Sequence, residues 1–512
     1  MEPSRELLED IRLGKIKTQD QLELAKIKLA GGMPLVKNSQ ISELVSPSDN
    51  DYKEINKFLR IKNVRTASGV ANIAVMWKHV DHLNSCPFHC IYCPQGEKDG
   101  ELIAPKSYTG VEPTTLRAIR NKFDPFLQVT NRIKQLNLIG HSTDKCELII
   151  MGGTFMATPS AFQEDFVKCC LDGFNGTDSE TLEDAQLLNE TAGNRCIGLT
   201  IETRADYCSQ KHIEQMLRLG CTRVEIGVQS VDDDLLKITE RGHDAKANTE
   251  AIKRLKENGL KVCVHWMPGL TGLHGLDEEK EISMFSQLFT DDYMPDELKI
   301  YPTLVMPGTK LHEMWKGGNY APLAKEQMMR LLIEFKKIVP DFVRIKRVMR
   351  DISEHKADAG AKTTNLRQLA AIRMKHSGLR CRCIRCREVG HVERIEGNTE
   401  LKRAEYGASG GREIFLSYES RNALFAFLRL RLGETARIRE LHVYGSTVPI
   451  GKKSDAYQHT GFGKSLMEEA ERIAKENGAK KITVTSGIGA RDYYRKLGYR
   501  FEAPYMEKIL AA

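Results

Sequence analysis

The sequence predicts an α/β protein: a parallel sheet, open or curled into a partial barrel, with a helical N-terminal region before it and a smaller α/β domain after it. Two observations carry the larger sheet. Short apolar runs of strand length recur at 72–77, 146–151, 196–201, 223–228, 261–266 and 297–302, as buried parallel strands do. Stretches of helical length separate them, such as 244–259, which is amphipathic and stops at Gly259. Such alternation gathers ligands at the carboxyl ends of the strands. A third observation is the change of texture near residue 390, where longer strand-like runs begin. With 512 residues the chain holds about three units at roughly 150 residues each.

In chain order, residues 1–70 are polar and helical, with a Gly31–Gly32 stop and a basic segment at 53–65. Residues 71–340 carry the repeated strands, and 341–390 form a basic, cysteine-containing linker. Residues 391–512 read as strands at 412–420, 423–432 and 439–449, a helix over 463–477 ended by Gly478, then a strand and a helix containing Tyr493 and Tyr494. Hydrophobic residues at 41% and charged residues at 28% exclude a disordered chain. No apolar stretch approaches the roughly 20 residues of a membrane helix. The N-terminus is charged from its second residue and carries no apolar leader. These features predict a cytoplasmic protein without a membrane partner.

Thirteen cysteines in a reducing compartment argue against a disulfide framework. Seven are scattered (146, 169, 170, 196, 208, 221 and 263) and read as core residues. Charge is uneven as well. Residues 341–388 hold thirteen Lys or Arg against five Asp or Glu, an excess of eight against +7 for the whole chain. A solvated face would explain this, and so would a polyanion site such as nucleic acid.

Three motifs carry chemistry. Cys86, Cys90 and Cys93, spaced C-x3-C-x2-C after the first strand, can hold three irons of a [4Fe–4S] cluster and leave the fourth open. Zinc, helped by His89, is the competing metal. Pro87 and Pro94 make a buried regular element a poor account of them. Cys381, Cys383 and Cys386 sit among arginines that favour thiolates. With His376 or His391 they offer a zinc site; free thiols and a second cluster are the other readings. Gln458, Gly461 and Gly463 form Q-x-x-G-x-G before a helix, where backbone N–H groups can take a phosphate. Tyr493 and Tyr494 are either core residues or a general acid.

The first triplet, with Tyr92 before its last cysteine, resembles the radical S-adenosylmethionine (SAM) superfamily. The glycine turn, with its preceding strand and the later tyrosines, resembles the GNAT acetyltransferase superfamily. Both in one chain, with strings such as 107–120, 200–208, 223–231 and 439–449, resemble the Elongator catalytic subunits and their single-chain relatives. The resemblance implies a radical SAM partial barrel and a GNAT-type domain. It implies carboxymethylation of the wobble uridine of tRNA from SAM and acetyl-CoA. It puts SAM near Gly152, Gly153, Glu202 and Gln229, with MGGTF departing from the commoner ending in Glu. It puts acetyl-CoA near Lys145, Glu440, Leu441, His442, Val443, Gln458, Gly461, Phe462, Gly463, Lys464 and Tyr494. The basic segment, with region 1–70, becomes a candidate for the anticodon stem-loop. An electron donor is required, and homo-oligomerisation is left open. Two other classes compete: a protein lysine acetyltransferase with a structural iron–sulfur cluster, and a non-catalytic RNA scaffold.

Overall fold

Seven parallel strands form the first sheet: β1 (Ala71–Met76), β4 (Lys145–Met151), β5 (Arg195–Thr203), β6 (Arg223–Gln229), β7 (Lys261–Trp266), β8 (Glu297–Ile300) and β9 (Arg344–Val348), in that spatial order. A two-stranded ribbon, β2 (Gly96–Lys98) and β3 (Glu101–Ala104), lies between the first two in sequence. The computed structural model describes residues 3–30, 36, 38–46, 48–59, 68–78, 86–98, 101–352, 354–363, 365–392, 394–445 and 461–510. Strand β9 belongs to this sheet, so the expected boundary at 340 cuts it one strand short. RIKRV alternates charge with apolar residues, and its charge count hides its strand character.

Alternation along β4 shows how the faces divide. Cys146, Leu148 and Ile150 are fully buried beneath the outer helices, so Lys145, Glu147, Ile149 and Met151 point to the opposite face. The sheet is strongly curled. Glu147 on β4 lies 3.9 Å from Lys346 on β9, although a flat sheet would hold strands five places apart at about 24 Å. The result is a half-barrel. Its concave face carries Arg223, Glu225, Lys261, His265, Glu297 and Lys299 where many barrels stack apolar layers. Of the scattered cysteines, six are buried and Cys169 is half-buried.

The helices Pro3–Arg12, Gln19–Ala30, Asn38–Ser42 and Tyr52–Leu59 close a small core of their own around Leu7, Leu22, Ile41 and Leu59. Ser42 Oγ ties this unit to the barrel by donating to the Leu138 carbonyl at 2.7 Å.

The second sheet is β10 (Glu400–Ala408), β11 (Gly411–Glu419), β12 (Leu424–Leu432), β13 (Thr435–Val443), β14 (Lys481–Val484), β16 (Tyr505–Ile509) and β15 (Arg500–Glu502), in spatial order. Strand β10 was not foreseen, because an exposed edge strand lacks apolar alternation. The helix Phe462–Glu476 buries Leu466, Met467, Ala470, Ile473 and Ala474 against the sheet, the stripe read from sequence. Strand β13 ends at Val443, short of the expected 449. Its irregularity lies at Arg439, between the β12 pairings of Ile438 and Glu440. Strands β13 and β14 pair in parallel over Thr435–Ile438 only, so the sheet splays beyond that point.

Arg439 is the residue displaced by this bulge, and it locks the two sheets together. Its guanidinium donates to both Asp296 oxygens at 2.7 and 2.5 Å and to Glu413 at 2.5 Å. Lys256 sits 3.3 Å from Glu413 and 3.7 Å from Asp296. All four are buried. Burial pushes the Asp296 carboxyl up, but Arg439 and Lys256 outweigh it and hold it well below the usual carboxylate range. Asp296→Ala should therefore leave two cations buried without this partner and lower unfolding free energy by about 3–5 kcal/mol. A urea titration checks this; a cost near that of a surface pair, below about 1 kcal/mol, would show that the lock is dispensable. Since the folded pKa is depressed, this stabilisation is full above about pH 4 and is lost as pH falls further.

Candidate active site: two cavities on one half-barrel

Where the strands end, the loop 86–94 folds over the carboxyl end of the barrel. Cys90 is buried and Cys86 and Cys93 are half-buried. Cys90 Sγ accepts from Arg204 at 3.9 Å and from Arg241 at 3.7 Å. The Arg204 guanidinium also stacks 3.7 Å over the Phe88 ring. Lys106 Nζ caps the loop by donating to the Cys86 and Phe88 carbonyls at 3.0 and 3.1 Å. Ser107 Oγ lies 3.2 Å from Cys93 Sγ. Burial raises the Cys93 thiol, and a bound cation would reverse that by favouring the thiolate.

Beside this loop is a cavity of about 140 Å³ lined in part by Cys86, Cys90, Cys93, Gly153, Glu202 and Gln229. Glu202 accepts from the Tyr108 hydroxyl at 2.7 Å. Gln229 Oε1 is buried without a hydrogen-bond partner, as expected of a group that awaits a ligand or water. The two glycines differ in role. Gly153 lines the cavity, whereas a Cβ on Gly152 (φ +134°) would meet the Trp77 indole at 2.6 Å. Gly152 therefore answers to packing. Arg204, Arg241, Lys106 and Tyr108 were missed by the sequence reading; Arg204 follows directly on the Glu-Thr that ends β5, which could have signalled it.

The second cavity, about 1020 Å³, lies at the opposite, amino-terminal end of the barrel strands, between barrel and second sheet. It is lined by Lys145 at the start of β4 and by Glu440, Leu441, His442 and Val443 where β13 splays from β14. Gly461, Gly463, Lys464, Tyr493 and Tyr494 line it too. Gly461 (φ +84°) is the N-cap of the helix Phe462–Glu476. A Cβ on Gly463 would lie 2.9 Å from the Tyr493 hydroxyl, so the bare glycine leaves that first turn open. Phe462 lies apart: its ring stacks on Tyr418 at 4.5 Å, in the core of the domain. Gln458 lies outside the described residues.

Electrostatics in this cavity is set by burial. Glu440 holds Lys261 at 2.9 Å and Arg429 at 3.0 Å. His442 donates through Nε2 to the Ser68 carbonyl at 3.2 Å, and burial lowers its pKa. Burial lowers Lys145 as well. It raises the Tyr493 and Tyr494 phenols above their ordinary value, so both stay protonated at neutral pH.

The second cysteine triplet has a geometry of its own. The sulfurs of Cys381, Cys383 and Cys386 lie within 4.8 Å of one another. A tetrahedral zinc with 2.3 Å bonds asks for about 3.8 Å between sulfurs. Among the described residues neither His376 nor His391 joins this group; His376 is exposed, and His391 Nε2 is 3.8 Å from Glu388. Hydrogen bonds from Cys381 and Cys386 lower the Cys383 thiol. The basic segment is also corrected. Arg344 lines the large cavity and pairs with Glu388 at 2.9 Å, Lys346 faces the barrel interior, and Arg387 is buried against Glu419. These side chains turn inward, which leaves Lys356, Lys375, Arg380 and the ion-paired Arg373 and Arg382 outside.

A cysteine loop over one end of a half-barrel and a splayed sheet at the other define a radical SAM protein fused to a GNAT domain. Residues 80–283 match the radical SAM superfamily, 295–376 the radical SAM C-terminal domain, and 405–508 the acetyltransferase (GNAT) domain. The chain is 46% identical to the tRNA uridine(34) acetyltransferase of Methanocaldococcus infernus, over 98% of each chain. It is 43% identical to human Elongator complex protein 3, over 98% of this chain and 94% of that one. The solved structure of M. infernus Elp3 with an N-terminal deletion superposes with a TM-score of 0.75 at 45% identity, covering 87% of this chain and all of that one. The chain belongs to this family, and is an acetyltransferase-class enzyme with radical SAM and GNAT domains. No helix among the described residues is long and apolar enough to cross a membrane.

The two triplets should load different metals. Anaerobically reconstituted protein should hold about four irons per chain, lost in Cys90→Ala, whereas zinc should be lost only in Cys383→Ala. Elemental analysis of the two variants checks this, and zinc that disappears with Cys90 would reverse the assignment.

Proposed function

We infer that the enzyme forms 5-carboxymethyluridine at position 34 of tRNA from acetyl-CoA and SAM, with hydrolysis of the CoA thioester once tRNA is engaged. The observation that carries this reading is the placement of both cavities on one half-barrel, which suits a single product built from two co-substrates. When bound, a [4Fe–4S] cluster on Cys86, Cys90 and Cys93 supplies the electron that turns SAM into a hydrogen-abstracting radical. Gly153, Glu202 and Gln229 would bind SAM beside it, and Arg204 and Arg241 would hold Cys90 in place. At the other end, the N–H groups of the turn at 461–464 would take the CoA phosphates. The backbone of 440–443 would pair with the acyl arm. Tyr494, kept protonated by burial, would give its proton to the departing thiolate, with Tyr493 beside it. A target base must leave its stack to reach such a centre. Zinc at Cys381, Cys383 and Cys386 would serve structure.

The test is a reduced reaction with tRNA, SAM and acetyl-CoA, analysed for nucleosides and 5′-deoxyadenosine. Wild type should yield carboxymethyluridine, and Cys90→Ala should yield neither product while still binding acetyl-CoA. Tyr494→Phe should slow CoA release by about 10²–10⁴-fold and keep SAM cleavage. Acetylated protein without SAM consumption would instead support a lysine acetyltransferase.

A further inference from the structure

The concave face of the half-barrel lies between the two cavities. Along β6, Arg223 lines the large cavity and Glu225, two residues on, lines the small one. Two residues of strand span roughly 7 Å, so a single layer of side chains separates the two spaces. Four residues build that layer: Arg223, Glu225, Glu297 and Lys346. All but Lys346 are more than nine-tenths buried.

The side chains of this layer are anchored on one side, with Arg223 paired to Glu147 and Glu225 to Lys299 and to His265 at 3.0 Å, but their remaining polar atoms are not. Arg223 Nε, Glu225 Oε1, Glu297 Oε2 and Lys346 Nζ make no hydrogen bond. They face one another at 3.5 to 3.9 Å, beyond good hydrogen-bond geometry. On opening, these four atoms have no hydrogen bond to lose, so the cost falls on the ion pairs to Glu147 and Lys299 alone. The acyl arm of coenzyme A carries amides and a thioester carbonyl, which offer the partners that the four atoms lack. The charges also balance, with two cations against two carboxylates, so a neutral arm enters without leaving a net charge stranded.

We propose that the acetyl end of coenzyme A crosses the concave face of the half-barrel to reach the small cavity, and that Arg223, Glu225, Glu297 and Lys346 are the gate across that passage. This rests on the proposed function, in which the acetyl methyl must meet the radical centre. It adds the route and the residues that control it.

Ile149 offers a plug outside both sites. It lies on the concave face of β4, between Glu147 of the large cavity and Met151 of the small one, and it lines neither. The experiment uses cluster-loaded protein, SAM, tRNA, a reductant and acetyl-CoA deuterated in its methyl group, and reads deuterium in 5′-deoxyadenosine. Wild type should transfer deuterium. Ile149→Trp should transfer about 100-fold less, with unlabelled 5′-deoxyadenosine and acetyl-CoA affinity retained, while Ile149→Ala should transfer normally. If the Trp variant does not fold, Ala74→Leu, paired with Ile149 on the neighbouring strand, supplies the same obstruction. Wild-type transfer in a folded, plugged variant would overturn the passage. Absence of deuterium from the wild-type product would instead remove the proposed function, and the gate with it.

Discussion

Buried charge in the join between the two sheets governs the rest of the architecture. Asp296, Glu413, Arg439 and Lys256 are all out of water, and none is tolerable there unless the others are in place. Asp296 comes from the loop before β8, Lys256 from a barrel helix, and Glu413 and Arg439 from the second sheet. The domains thus dock in one register or leave charges stranded. A second clamp supports it, in which Glu190 of the barrel side holds Arg491 at 3.1 Å and Arg495 at 2.6 Å. The large cavity exists because of this docking, since its walls come from both domains and neither would enclose it alone.

The two ends of the barrel are prepared differently. At the carboxyl end, cations surround sulfur: Arg204 and Arg241 donate to Cys90, and Lys106 holds the loop by its carbonyls. Such donors favour negative charge on the ligands. At the amino end, the splay of β13 from β14 frees backbone that a sheet would otherwise consume, and tyrosines stand beside it with their protons retained. In the proposed function one end would serve electron chemistry, and the other would hold an acyl carrier and protonate its leaving group.

Much of this was legible in the sequence. The strand runs, the helix stripe at Leu466–Ala474 and the cysteine spacings all depend on local pattern, and local pattern survives folding. The errors have a common cause. Counting charge over 341–388 could not tell which side of β9 each base would occupy, so Arg344 and Lys346 read as surface when they face inward. Gly152 read as a ligand contact because a glycine's need for space does not reveal what fills it; here it is Trp77. The charged concave face was readable after all. Arg223 and Glu225, Lys261 and His265, and Glu297 and Lys299 stand at period two within apolar runs, which marks a polar inner surface on a buried strand. Contacts across the join, such as Arg439 to Asp296, carry no local signature.

Strand β9 is only five residues long, yet it borders both cavities and the space between them. Arg344 reaches the large cavity, Lys346 the interior, and Arg347 the wall of the small cavity. Its backbone is fastened to the segment that follows it: Arg367 donates to the Ile345 carbonyl at 2.7 Å, and Ile384 N–H donates to the Val343 carbonyl just before the strand at 3.0 Å. The position of one short rod therefore bears on three spaces at once, and its moorings lie 22 and 41 residues downstream, at Arg367 and at Ile384 beside the second cysteine triplet. Whatever holds those cysteines in register acts as an alignment datum for both ends of the barrel, as a dowel fixes two plates that never meet.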